Sequence, residues 1–290
     1  MEPSGARQRH YALWPGLVAA TSFGVCDTLV KLVLAAGIDV LTLALIRGVV
    51  GIAIVFIYLR LSTPTAAASA RQRAFALALG VLFAGVVYGL FEAIDRITVP
   101  VAVLTYFIYP LLTAIGGVVF GVERIGWQGM AAAVVAFCGL ALTIEAYPQH
   151  LSLIGLGFAL GAAICRAAFL LLARRELQQL DPRLTTWYSL LSSTAIFAIA
   201  AAATLNWPTS HDGGGWLLAS VVGVGTAIAI LTLYMSTIRI GPFRSALIMN
   251  LEPLLATVLS VPLLGQLITP VQALGAAIML AALVAFQSWR

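Results

Sequence analysis

The chain has 290 residues, of which 61% are hydrophobic and 9% charged, and its mean hydropathy is +1.03. A soluble domain carries about a quarter charged residues, so this composition excludes a soluble enzyme or binding module and leaves no room for a sizeable extramembrane domain. The formal net charge of +5 is not interleaved with aromatics as a nucleic-acid face requires; the lipid bilayer is the partner to expect.

Residues 1–10 read as a short polar tail. The apolar run after them is too long, and too poorly followed by small residues, for a removable signal. Spanning helices need about 20 mostly apolar residues, and on that criterion ten segments qualify: 11–36, 40–60, 74–93, 99–121, 126–144, 151–172, 184–205, 214–237, 242–264 and 269–286. Short linkers with helix breakers separate them, among them Gly37 with Asp39, Thr63-Pro64-Thr65, Pro148, Asp181-Pro182, and Pro208 with Gly213 to Gly215. With the N-terminus inside, the cytoplasmic segments hold Arg7, Arg9, Arg60, Arg71, Arg73, Arg124, Arg174, Arg175, Arg183, Arg239, Arg244 and Arg290, and the outer loops hold only Arg96. The positive-inside rule then puts both termini on the cytoplasmic side of a bacterial-type inner membrane.

Two spans interrupt themselves. The segment 245–265 carries Asn250, Glu252 and Pro253 near its middle, and the segment 102–120 carries Tyr109-Pro110 at the matching place, 143 residues earlier. A proline inside a helix frees a carbonyl and kinks the chain, and an ionisable group at mid-span marks a functional site by default. Further pairs fall in register: Arg96 with Arg239, the turn Gly121-Val122-Glu123 with Leu264-Gly265-Gln266, and Gly24-Val25-Cys26-Asp27 with Ala163-Ile164-Cys165-Arg166. Five helices per copy is an odd number, so two halves, 11–147 and 148–290, would enter the membrane from opposite faces. Inverted repeats with broken helices are the pattern of secondary transporters, whose sites lie near the midplane between the repeats.

Five groups of residues carry a resemblance to a known family: Phe23-Gly24 through Lys31, Leu45-Ile46-Arg47, the Tyr109-Pro110 and Glu252-Pro253 segments, and the Gly-x-Glu123 turn. In these the chain resembles the drug/metabolite transporter superfamily, in particular its members with two EamA-type repeats. The resemblance implies an all-α fold of ten transmembrane helices in two inverted five-helix repeats, alternating access to a central cavity, and export more readily than import. It leaves the substrate open among amino acids, other metabolites and drugs. The chain departs from the pattern where the first repeat has Tyr109 at the position of Glu252 in the second, where Gln266 replaces an acidic turn residue, and where Phe23 stands for a tryptophan.

Depth along each helix, at about 1.5 Å per residue, singles out the intramembrane polar groups. Asp27 and Arg47 both lie roughly 15 Å deep, and Lys31, the sole lysine, is one turn from Asp27. They read either as an ion pair locking the first two helices or as a substrate or proton site. Glu252 and Arg166 read either as a charged pair lining the cavity or as a cap on the kink at Pro253. Tyr106 and Tyr109, with Tyr88, Glu92 and Asn250, are further substrate-binding candidates, and Pro110 and Pro253 are the kinks. Tyr234 is assigned to the interfacial aromatic belt with Tyr11, Trp14, Trp127, Trp187, Trp207, Trp216 and Trp289. The pairs Gly85/Gly89, Gly117/Gly121 and Gly157/Gly161 read as helix-packing surfaces.

Chemistry other than transport finds little support. His10, His150 and His211 lie at a terminus or in loops, Cys26, Cys138 and Cys165 lack metal-ligand spacing, and no phosphate-binding loop is present. The expectation is therefore a carrier that is not an enzyme and uses no cofactor, its main alternatives being a multidrug or cation exporter and a non-transporting membrane protein. Both repeats being on one chain, a second subunit is not required.

Overall fold

Apolar runs of this length satisfy their backbone only within helices once water is excluded. The computed structural model describes residues 5–63, 66–144, 152–204, 213–264 and 267–288, and among these every regular element is a helix. In chain order they are α1 (Gly5–Ala35), α2 (Val40–Leu61), α3 (Ala70–Arg96), α4 (Val99–Tyr106), α5 (Tyr109–Val119), α6 (Trp127–Ile144), α7 (Leu153–Glu176), α8 (Pro182–Thr204), α9 (Gly213–Ile240), α10 (Pro242–Ile248), α11 (Leu251–Leu264) and α12 (Pro270–Ser288). Nine segments among the described residues are long and apolar enough to cross a membrane, and 270–286 adds a shorter apolar helix. Large apolar side chains such as Val49, Val119, Ile199, Leu217 and Val284 point outward, as lipid contact demands. This is a multi-pass membrane protein.

Local chemistry starts several of the helices. Asp39 caps α2, its carboxylate accepting from the Thr42 N–H at 3.1 Å. Ser69 and Gln72 form a capping box on α3, and Ser152 Oγ accepts from the Gly155 N–H at the start of α7. Buried hydroxyls return to their own helix, Thr113 to the Tyr109 carbonyl at 2.7 Å and Thr226 to the Val222 carbonyl at 2.7 Å.

Two of the predicted spans are each two helices. Pro110 lacks the N–H that would bond the Tyr106 carbonyl, so α4 ends there and α5 begins at Tyr109. Pro253 likewise leaves the Met249 carbonyl without its usual donor; the Glu252 N–H takes it instead at 3.0 Å, in a tighter turn between α10 and α11.

Packing pairs α1 with α9 and α11, α3 with α7 and α8, α2 with α8 and α9, and α6 with α12. The glycine expectation is corrected in part. Gly85 and Gly89 do seat α3 on α7, with a Cβ on Gly89 falling 2.9 Å from the Phe158 carbonyl, but Gly157 and Gly161 face open space. The tightest α6–α12 approach belongs to Gly139 and Gly275, where a Cβ on Gly139 would lie 2.7 Å from the Met279 nitrogen.

The aromatic belt is also corrected. Tyr234 is fully buried, stacked on Phe169 at 5.1 Å and donating to Ser189 Oγ at 2.9 Å. Trp187 and Trp216 are partly buried against the interior, while Trp14 and Trp127 are exposed. The side chain of Tyr11, together with Trp207, Trp289, Pro64, Thr65, Pro148, His150, Pro208, His211, Gly265, Gln266 and Arg290, lies outside the described residues, as do the side chains of Arg7, Arg9 and His10.

Candidate functional site at the helix breaks

The two breaks fall beside one another, because α5 packs on α10. At the first, Tyr106, Phe107 and Tyr109 form an aromatic cluster, with the two tyrosine rings 5.2 Å apart. At the second, Asn250 is buried between α10 and α11. Arg166 of α7 reaches the same region, 3% exposed, with its guanidinium carbon 5.4 Å from the Phe23 ring, 5.7 Å from Tyr109 and 5.6 Å from Phe169. Such contacts hold a buried guanidinium without neutralising it.

Asp27 and Glu252 meet here. Their side chains lie within hydrogen-bonding reach of each other, with Arg47 and Arg166 as the nearest cations. Asp27 and Lys31 are nevertheless solvent-accessible. Charged groups from α2, α7 and α11 face Asp27.

The expected contact pair between Asp27 and Arg47 does not form. Arg47 Nε donates instead to Thr226 Oγ1 of α9 at 3.0 Å. Gly223 is the reason: lacking a side chain, it lets the Arg47 Cα and the Val50 side chain of α2 come close to α9, and Thr226 is one turn away. Arg166 and Glu252 likewise form no contact ion pair, although each lies in the other's field.

Three buried polar atoms in this region make no well-formed hydrogen bond among the described residues: the Tyr109 hydroxyl, which the Arg166 guanidinium nevertheless approaches, Arg166 Nε and Asn250 Oδ1. Leaving such an atom unsatisfied costs about 1–3 kcal/mol. Three such atoms, from the two breaks and α7, fall in one region.

Tyr88 and Glu92 do not join this cluster. The buried face of α3 is made by its small residues, which turns Tyr88 outward, 56% exposed and edge-on to Phe158. Glu92 is bound by Arg96 one turn along. Residues that sequence reasoning missed are Thr226, which takes Arg47, and Phe107 and Phe169, which complete the aromatic surround. Thr226 follows Gly223 and Gly225, and that small-residue stretch was the available signal.

Away from the centre, Glu123 in the turn after α5 accepts the Phe243 N–H at 2.9 Å and closes α5 onto α10. Burial pushes its carboxyl above the usual carboxylate range, against that N–H and the cations of Arg244 and Arg174. Gly241 takes a φ of 92° here, and a Cβ at that position would strike the Glu123 carboxyl group.

Comparison with known proteins gives the family and the fold. Residues 11–145 and 153–286 each match the EamA-like transporter family. Over 214 residues the chain is 30% identical to the threonine/homoserine exporter RhtA of Escherichia coli K12, covering 70% of this chain and 68% of that protein. RhtA from the O6:H1 and O157:H7 strains aligns equally well. A solved crystal structure at 17% identity superposes with a TM-score of 0.78 over 96% of both chains, which shows the same fold. The chain therefore belongs to the EamA-like transporter family of the drug/metabolite transporter superfamily.

Proposed function

We propose that this protein is a secondary exporter of a small zwitterionic metabolite of the amino-acid type, working by alternating access. The observation that carries this reading is the convergence, at two helix breaks, of two carboxyls, two guanidiniums and three unsatisfied polar atoms. An α-amino acid presents one carboxylate and one ammonium a few ångströms apart. Arg166, with Tyr109 and Asn250, suits the carboxylate side; Asp27 and Glu252 suit the ammonium. The likeness to an exporter named for threonine and homoserine supports the same class.

A lipophilic cation is the weaker alternative. The aromatic faces nearest the acids are already occupied by the Arg166 guanidinium, which would repel a second cation.

Export against a gradient needs a coupled ion, and the carboxyl pair is the natural carrier of a proton. Two carboxyls hydrogen-bond each other only when one holds a proton. The groups facing the pair are Arg47 on α2, Arg166 on α7, Lys31 and Cys26 on α1, and Tyr106 and Tyr109 at the α4–α5 break. In this reading substrate ammonium and proton compete for the same oxygens, which makes antiport the direct consequence.

The arrangement proposed around the site is two inverted repeats, 11–147 and 148–290, in a bacterial-type inner membrane with both termini cytoplasmic. Support comes from the ends of the bundle. Arg60, Arg71, Arg124, Arg174, Arg183, Arg239 and Arg244 share one end, and Arg96 is at the other, the asymmetry the positive-inside rule describes.

The test is uptake of labelled threonine, homoserine and a panel of other amino acids into inside-out vesicles, with and without an imposed pH gradient. Saturable uptake that Glu252→Gln abolishes supports the proposal. Wild-type and variant vesicles that behave alike for every amino acid would overturn it.

A further inference from the structure

The arginine-bearing end of the bundle holds a second feature, separate from the mid-span site. The start of α1, the turn between α5 and α6, the last turn of α7, the α9–α10 junction and the end of α12 enclose a cavity of about 510 Å³. Among the described residues, Arg124, Arg174, Arg239 and Arg244 line it, with Glu123 as the one acid. That acid accepts the Phe243 N–H and lies in the field of Arg244 and Arg174, so one carboxyl faces four guanidiniums.

Aromatic and main-chain contacts hold three of the guanidiniums in place. Arg239 lies over Trp14 at 5.5 Å and Arg244 over Phe286 at 5.9 Å, while Arg174 donates to the Ile238 carbonyl. The ion pairs at this end go elsewhere, Arg71 to Glu176 and Arg183 to Asp181. Among the described residues Arg124, Arg174 and Arg239 have no carboxylate within ion-pairing distance. The walls between the charges are apolar, from Ile125, Phe243 and Phe286.

We infer that this cavity is a binding site for a phosphate-bearing anion. Like charges gathered in one pocket repel one another, and a pocket with such an excess is relieved by an anion. Guanidiniums match phosphate oxygens in pairs, and the volume is within the range of small-ligand sites. Basic pockets between helices at the membrane surface suit phospholipid headgroups, and the apolar walls would lie against the glycerol and acyl ends. A free phosphate has the same chemistry and is the other source. Because the cavity is built from both halves at the Glu123–Phe243 contact, an occupant would brace α5 and α7 against α9 and α10 and favour the conformation in which this end is closed.

The experiment uses the full chain in nanodiscs of phosphatidylcholine, with thermal unfolding as the readout. One arm replaces a fraction of the lipid with phosphatidylglycerol; another adds inorganic phosphate, with chloride at equal ionic strength as control. Wild-type protein is expected to gain about 3 °C or more, as a ligand selective for the folded state produces. Arg124→Gln and Arg239→Gln should each weaken that gain, and the double variant should lose it. Arg60→Gln, outside the cavity, should keep it. A gain with phosphatidylglycerol alone identifies the headgroup, and a gain with phosphate identifies the free anion. No gain with either probe, or an equal gain in wild type and the Gln variants, overturns the inference. Transport is not the readout, so the result stands or falls apart from the proposed function.

Discussion

Gly24 of α1 rests against the main-chain carbonyl of Glu252, so closely that a Cβ on Gly24 would lie 2.8 Å from that oxygen. This contact sets the site. With α1 this near α11, Asp27, three residues on and on the same helix face, is carried up to the Glu252 side chain. A glycine in one half of the chain thus decides which carboxyl the other half meets.

Replacing Gly24 tests that relationship. Gly24→Val should force α1 from α11, cost about 1–3 kcal/mol as overpacking does, and separate the carboxyls. The expected result is a lowered unfolding midpoint together with loss of amino-acid uptake. Gly24→Ala should be intermediate in both measurements.

The carboxyl pair makes an ordered prediction for transport. Glu252→Gln and Asp27→Asn should each fold as wild type by thermal unfolding, and each should reduce uptake driven by a pH gradient by about tenfold or more, ~1.4 kcal/mol of coupling. Tyr109→Phe should retain gradient-driven flux while altering preference among amino acids. Competition assays with unlabelled substrates measure that change.

Packing at the far side of the bundle separates two kinds of glycine. Gly139→Leu should disrupt the α6–α12 pair, where backbone atoms of Met279 and Gly275 leave no room. Gly157→Ala and Gly161→Ala enter open space and should be neutral or stabilising, by about 0.5–1 kcal/mol each, from reduced backbone freedom. Unfolding midpoints in one detergent give the comparison.

Tyr234 provides a check on burial. Tyr234→Phe keeps the stack on Phe169 and removes the bond to Ser189 Oγ. Because Ser189 Oγ still donates to its own helix at the Thr185 carbonyl, the expected loss is about 0.5–1.5 kcal/mol, with transport retained. A belt tyrosine would show no loss.

At the arginine-bearing end, Asp181 predicts an acid-side effect. Partial burial works to raise its carboxyl, but the Arg183 side chain and backbone N–H outweigh that and hold it below the usual carboxylate range. A depressed folded value contributes stability above the unfolded pKa, near 3.9, and that contribution is lost as pH falls through the folded value. Asp181→Asn should therefore melt earlier than wild type at neutral pH, and the gap should close as pH falls through the folded value. Melting curves across that range check the sign.

The membrane class, the positions of nearly all spans and both helix breaks were legible in the amino-acid sequence alone. Each depends on a property local to the chain: apolar length for a span, a missing N–H for a break at Pro110 or Pro253. The family was legible for the same reason, its motifs being short and contiguous. Which groups meet was not. Asp27 has Glu252 beside it and Arg47 has Thr226, and Tyr234 is interior, because Gly24 and Gly223 set how closely α1 meets α11 and α2 meets α9. Those approaches lie between residues about 180 to 230 positions apart along the chain, where no periodicity records them. Likewise Tyr88 and Glu92 have the right depth and chemistry for the site, and only the rotation of α3 about its axis turns them away. Depth is a one-dimensional quantity that the sequence determines; the facing of one helix to another is decided by the packing of small residues in three dimensions.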